Sequence, residues 1–372
     1  MNGEKIIIFY PHILEYGGIE RNIIALSIGA IAKGYIPVLI CFYDNITMQN
    51  YVEGLEVVVL GDHWSPFKKG ALIKKWFKNN QQTYEGLPLF FGGKAGFYAA
   101  LSKIDRYALH YTDPPSLLSE DNSSVFKKMI LAPRKYVSDG IFKRGVTKAM
   151  VCITMTEWNA RELEILYGKP FDVVYQGGVP PMGVINTAQR CMGNSLRLFS
   201  ICRLTTSKNI DWILQAAFEL KNTNTYKKNF QTLKIILAGK GPALEFLKQK
   251  TIALGLLDEV EFPGFLTSEE LEDEYALADI FLVPGRQGYG LPVLEALYRH
   301  VPVILNKESR ISEILETNPW IAISENTNTS FTQALEKHIE EVRNLHPDSK
   351  VLDALPTESY WAREIGKKCN WW

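Results

Sequence analysis

Two hydrophobic patterns alternate along the chain. Short, nearly unbroken apolar runs come first: KIIIF (5–9), PVLICFY (37–43), LEVVVL (55–60), PLFF (88–91), YALHY (107–111), AMVCITM (149–155) and FDVVY (171–175). Longer stretches with apolar residues at helical spacing separate them. The segment QGGVPPMGVINTAQRCMGNS (176–195) then breaks the pattern with glycine, proline and polar residues, and reads as a linker. The alternation restarts with LRLFSIC (196–202), LKIILAG (233–239), VEFPG (260–264), IFLVP (280–284), VPVIL (301–305) and WIAIS (320–324). Continuous apolar runs suit strands covered on both faces, and intervening helices suit parallel crossovers. The pattern predicts an α/β protein with two doubly wound, Rossmann-like parallel-sheet domains. Their expected bounds are 1–180 and 196–355, with 181–195 between them. The closing stretch TESYWAREIGKKCNWW is amphipathic and aromatic, which predicts a helix over about 356–372 packed back on the first domain.

Composition narrows the class without naming a function. Among 372 residues, 41 basic side chains balance 41 acidic ones, so overall charge gives no case for a nucleic-acid partner. The balance is local, however: residues 63–148 hold 15 Lys/Arg against 6 Asp/Glu. The cysteines at 41, 152, 191, 202 and 369 are odd in number and scattered, which fits reduced thiols, not bridges or a metal cluster. The opening MNGEKIIIFYP has too short an apolar core for a secretory leader, and no apolar run approaches the ~18 residues of a membrane span. The expectation is a cytoplasmic protein, soluble or peripheral at the inner membrane face.

An open α/β sheet binds ligands beyond the carboxyl ends of its strands. In the second domain those loops carry ICRLTTSKN, with Arg203 and Lys208; LAGKGP, with Gly239 and Gly241; and VPGRQGYGLP, with Gln287, Gly288, Tyr289 and Gly290 before a helix that contains Glu295. Glycines let main-chain N–H groups approach a phosphate, and a helix start adds about half a unit of positive charge. Two cations on the facing loop would complete a diphosphate cradle. A carboxylate one turn into the helix can accept two hydrogen bonds, which suits a ribose diol. Separately, each feature has a plain structural reading as a turn glycine, a solvated cation or a helix-surface acid.

Together, RLTTSKNIDWILQAAFEL, IILAGKGPALEFL, LGLLDEVEFPGFLTSEEL and YALADIFLVPGRQGYGLPVLEAL resemble family 4 of the retaining glycosyltransferases, which have the GT-B fold. YGGIERNI, LHYTDPP, CITMTEWNARELEILYG and YQGGVP extend the resemblance loosely into the first domain. The resemblance implies two Rossmann-like domains facing across a cleft, the donor on the second and the acceptor on the first. It implies that Arg203 and Lys208 neutralise the donor diphosphate and Glu295 holds the ribose. Gly290 and Leu291 would offer amides near the sugar or phosphate. Gly17 and Gly18 would form a loop closing on the donor, and His110 would contact the transferring sugar. Gly264, Phe265 and Leu266 would lie near the base. The implied reaction is retaining transfer of a hexose-type sugar from a nucleoside-diphosphate sugar to a glycan or lipid-linked hydroxyl, in polysaccharide or glycoconjugate synthesis. Alternatives on the same fold are a nucleotide-sugar epimerase or a non-catalytic nucleotide-sugar-binding partner.

Two departures matter. Where the family pairs two glutamates eight residues apart, this chain has Gln287 and Glu295; the amide keeps the reach and loses the charge. His300 stands where the family has glycine, and NKESR replaces a glycine-containing loop, ahead of Glu313. No Asp-x-Asp occurs, so no metal or other cofactor is expected, with cations and helix ends doing the neutralising. The basic, aromatic stretches SPFKKGALIKKWFKNN and FKKMILAPRKYVSDGIFKRG are either solvated helix faces or a surface for an anionic membrane or acceptor.

Overall fold

The computed structural model describes residues 3–80, 83–112, 138–181, 193–342, 352 and 354–372. The chain divides into two compact units, residues 1–176 with 358–372, and residues 177–357.

The first unit is built on a seven-stranded parallel sheet. Its spatial order is Glu56–Val59, Ile36–Cys41, Lys5–Phe9, Leu89–Phe91, Ala108–Tyr111, Val151–Thr154 and Asp172–Val173. The inner strands bury both faces, which is why their sequences are apolar without alternation, whereas the edge strands Glu56–Val59 and Asp172–Val173 are partly open. Ile6 and Ile8 point into one core layer with Leu39, Cys41 and Leu89. Ile7 and Phe9 point into the other with Val38, Ile40 and Phe90. The Gly18–Ala32 helix covers the first layer and the Pro66–Asn79 helix the second. A further parallel pair, His12–Ile13 with Tyr43–Asp44, extends the ends of two strands.

The terminal helix Glu358–Lys368 belongs to this unit. Its Trp361, Ala362 and Ile365 enter the first core layer, beside Trp371. A Cβ on Gly29 would come within 3.2 Å of Ala362 Cβ, so small residues bring the two helices together. Trp371 Nε1 donates to the Leu87 carbonyl at 3.0 Å, and Arg21 pairs with Glu358.

The second unit carries six parallel strands in the order Val260–Glu261, Thr232–Ala238, Ser195–Ile201, Ile280–Val283, Val303–Asn306 and Ile321–Ser324. Counted along the chain, that is 3-2-1-4-5-6. Strand order therefore reverses between Ser195–Ile201 and Ile280–Val283. At such a reversal the following connections diverge to opposite faces and leave a crevice at the strand ends.

Candidate functional site

The crevice of the second unit is walled by the loops after those two strands. Cys202 N–H donates to the Ala238 carbonyl at 3.2 Å, and Leu204 N–H to the Lys240 carbonyl at 3.0 Å. A short 3-10 turn, Thr206–Lys208, follows, and Asn209 takes a left-handed conformation before the Ile210–Leu220 helix. Close approach of neighbouring loops depends on glycine. Gly239 has φ +120°, and a Cβ there would strike the Cys202 carbonyl oxygen. A Cβ on Gly285 would strike the main chain of Lys208. Gly241 packs against Leu204 in the same layer.

Lys208 spans the crevice. Its ammonium donates to the Arg286 main-chain carbonyl and to Gln287 Oε1, both at 2.7 Å. Gln287 is neutral, so it orients the ammonium without cancelling its charge. Arg203 lies on the same loop as Lys208 and is exposed.

The Leu291–Tyr298 helix rises from the far wall. Gly288 and Gln287 are half-buried, and Tyr289 is buried. Gly290 caps the helix at φ +109°, a conformation that disfavours any residue with a Cβ. Leu291 begins the helix and Pro292 follows, where a missing N–H costs nothing. Glu295 is 9% exposed, and the Tyr275 hydroxyl lies 3.2 Å from its Oε2. Arg299 reinforces this corner: it donates to the Glu295 carbonyl at 2.9 Å, pairs with Glu272 and lies 5.2 Å from the Tyr275 ring centroid.

The segment after Val303–Asn306 buttresses the far wall. Asn306 Nδ2 donates to the Pro284 carbonyl at 2.7 Å, and Ser309 Oγ to the Gly285 carbonyl at 3.2 Å. Ile311 N–H reaches the Tyr289 carbonyl at 3.2 Å. Arg310 is enclosed, and Glu313 sits half-buried in the short Ser312–Leu315 helix. His300 adopts φ +56°, left-handed backbone in which glycine would be unstrained. Gly264 lies beside the Gly239 loop, accepting the Gly239 N–H at 2.6 Å. Phe265 beyond it is exposed and Leu266 half-buried.

The remaining expected residues lie in the first unit. Gly17 precedes the Gly18–Ala32 helix as its cap, and a Cβ on Gly18 would meet nothing within 4 Å. The buried Glu20 carboxylate turns back on this helix start and accepts from the Gly17 and Glu20 N–H groups; burial raises its pKa against those bonds. His110 is 0% exposed, in the Ala108–Tyr111 strand. Its ring stacks on Phe91 at 4.5 Å and meets Trp361 edge-on at 5.8 Å. Neither ring nitrogen bonds another described residue, and burial pushes the imidazole down to about 3. In this conformation the ring is neutral and shows no atom to a ligand.

Sequence reasoning had no signal for Gly285, the Arg286 carbonyl or Tyr275. Each acts through main-chain proximity or a contact between distant residues. Among the described residues, no three His, Cys, Asp or Glu side chains gather as a metal-holding group.

Residues 191–346 match the family described as Glycosyl transferases group 1. A putative colanic acid biosynthesis glycosyltransferase, WcaL, of Escherichia coli K12 is 30% identical over 149 residues, 38% of this chain and 35% of that protein. A GDP-mannose-dependent alpha-(1-6)-phosphatidylinositol monomannoside mannosyltransferase of Mycobacterium tuberculosis is 27% identical over 135 residues, 34% of each chain. The matched stretch thus spans well under half the length of these curated relatives. The structure of sucrose-phosphate synthase from Thermosynechococcus elongatus superposes with a TM-score of 0.73 at 14% identity, covering 98% of both chains. The fold class is GT-B, with two Rossmann-like parallel-sheet domains.

Proposed function

We propose that this chain, whose residues 191–346 match the family described as Glycosyl transferases group 1, transfers a hexose-type sugar from a nucleoside-diphosphate sugar to a glycan or lipid-linked hydroxyl with retention of configuration. The observation that carries the reading is the Lys208 ammonium, fixed across the strand-order reversal by Gln287 and Arg286. A diphosphate in that crevice meets Lys208 and Arg203 from one wall and the start of the Leu291–Tyr298 helix from the other. Stabilising the departing diphosphate is then the largest contribution of the protein to the rate. Glu295, oriented by Tyr275, holds the ribose. The leaving phosphate oxygen takes the acceptor proton on the same face as the departing bond, so the sugar keeps its configuration. No divalent metal takes part, because fixed cations and a helix end supply the charge.

The acceptor belongs to the first unit in this reading. The outer face of its Pro66–Asn79 helix exposes Phe67, Lys68, Lys74, Lys75 and Lys78, next to Trp64, which is 89% exposed. Aromatic anchors beside lysines favour peripheral contact with an anionic membrane, at the cytoplasmic side. Residues 126–137 of the second basic stretch lie outside the described residues. No described helix is long and apolar enough to cross a membrane.

Thermal-shift screening against UDP, GDP and ADP sugars tests the donor reading. The true donor raises the melting temperature with concentration. No response to any nucleotide sugar would refute it.

A further inference from the structure

The first sheet has a reversal of its own, between strands Lys5–Phe9 and Leu89–Phe91, and a second group of charges collects at those strand ends. His12 follows the first of these strands, Lys94 follows the other and caps the Ala95–Ser102 helix, and Asp62 follows Glu56–Val59. Lys69 reaches in from the Pro66–Asn79 helix. Its ammonium stands 3.1 Å from His12 Nε2, 4.9 Å from the Phe42 ring centroid, and pairs closely with Asp62. Asp62 Oδ1 is 3.7 Å from the same His12 nitrogen. An ammonium at that distance requires His12 Nε2 to be the unprotonated, accepting nitrogen. Lys69 is 8% exposed, whereas Asp62 and Lys94 are open to solvent.

Among the described residues, basic groups outnumber acidic ones in this cluster. The Lys69 ammonium and the His12 imidazole meet the half-exposed Asp62 carboxylate, and Lys94 acts on the imidazole from the next strand end. Burial first, then Lys69 and Lys94, holds the His12 imidazole below its ordinary range against the pull of Asp62. A mostly buried ammonium whose described counter-ion is a solvent-exposed carboxylate can exchange it for an incoming anion. The donor chemistry of the second unit uses none of these residues.

We infer that His12, Lys69 and Lys94 form a subsite for an oxyanion, phosphate or carboxylate, carried by the acceptor. Lys69 and Lys94 hold the oxygens, and Asp62 turns outward as the oxyanion takes its place beside Lys69. Calling the ligand an acceptor rests on the transferase reading above; oxyanion binding does not.

The test follows the His12 imidazole resonances of the full-length protein at neutral pH, assigned with His12→Gln, during titration with inorganic phosphate and, separately, glucuronate. The expected result is a saturable shift with at least one probe, its midpoint raised roughly tenfold in Lys94→Ala, which removes an exposed side chain. The more effective probe identifies the acceptor's anionic group. An unresponsive His12, or a response unchanged in Lys94→Ala, overturns the inference. A responsive His12 without sugar transfer to any acceptor would keep the subsite and refute the transferase. Transfer with an unresponsive His12 would do the reverse.

Discussion

Lys208 and Gln287 are joined by a 2.7 Å hydrogen bond across the reversal point of the second sheet. The partner is an amide, which orients the ammonium without itself adding negative charge. Lys208→Ala should lower turnover by about 100-fold, as losing a key charge-stabilising group does. Gln287→Glu would set a carboxylate against the ammonium and should weaken nucleoside-diphosphate binding by roughly tenfold. Steady-state kinetics and calorimetry measure the two effects. Near-normal turnover in Lys208→Ala would mean the diphosphate lies elsewhere.

Glu295 offers a different readout. If it grips the ribose diol, the wild-type protein should bind a nucleoside diphosphate more tightly than its 2′-deoxy form. Glu295→Gln keeps a hydrogen-bonding group beside Tyr275 and should reduce that preference to about twofold or less, since a charged hydrogen bond is worth about 1.5–3 kcal/mol. Equal discrimination in both proteins would remove Glu295 from the ribose.

The loop glycines make a stability prediction. Gly239→Ala adds a Cβ at φ +120° against the Cys202 carbonyl and should cost about 2–4 kcal/mol. Gly18→Ala meets nothing within 4 Å and should change stability by about 1 kcal/mol or less, in the stabilising direction. Urea unfolding of the pair checks the contrast; similar losses in both would show that loop packing is not the cause.

For His110, the folded imidazole titrates at about 3, well below the unfolded value. The native state therefore binds fewer protons than the unfolded chain between those values. Stability from this residue is complete above about pH 6.5 and is lost as pH falls toward about 3. His110→Phe keeps an aromatic ring between Phe91 and Trp361 and should flatten that part of the stability profile. If turnover also disappears while stability holds, the ring contacts substrate during the reaction; unchanged turnover would leave it a packing residue.

Metal independence is tested directly. Turnover should persist in excess EDTA, because the proposed charge stabilisation comes from Arg203, Lys208 and a helix end. Complete loss, restored by one divalent ion, would contradict this account.

Much of the fold was legible because buried parallel strands have a local signature. KIIIF became Lys5–Phe9, and IFLVP became Ile280–Val283 with one residue lost at the proline. The His12–Ile13 and Tyr43–Asp44 pair escaped notice because two residues show no periodicity. In the candidate site, the loop glycines and Glu295 could be placed from their positions after strands. The partner of Lys208 could not, since residues 79 apart meet only when two loops fold against each other.

The sequence by itself determined the strands, the helices between them and the loops that end at the sheet edges, because backbone periodicity and turn chemistry act over a few residues. Tertiary structure alone decided which side chains those loops would share. It gave Lys208 a neutral partner, enclosed His110 between Phe91 and Trp361, and gathered His12, Asp62, Lys69 and Lys94 from four separate segments. The physical reason is that strand order and helix packing set the distances between strand ends, and charge and hydrogen bonding there depend on those distances.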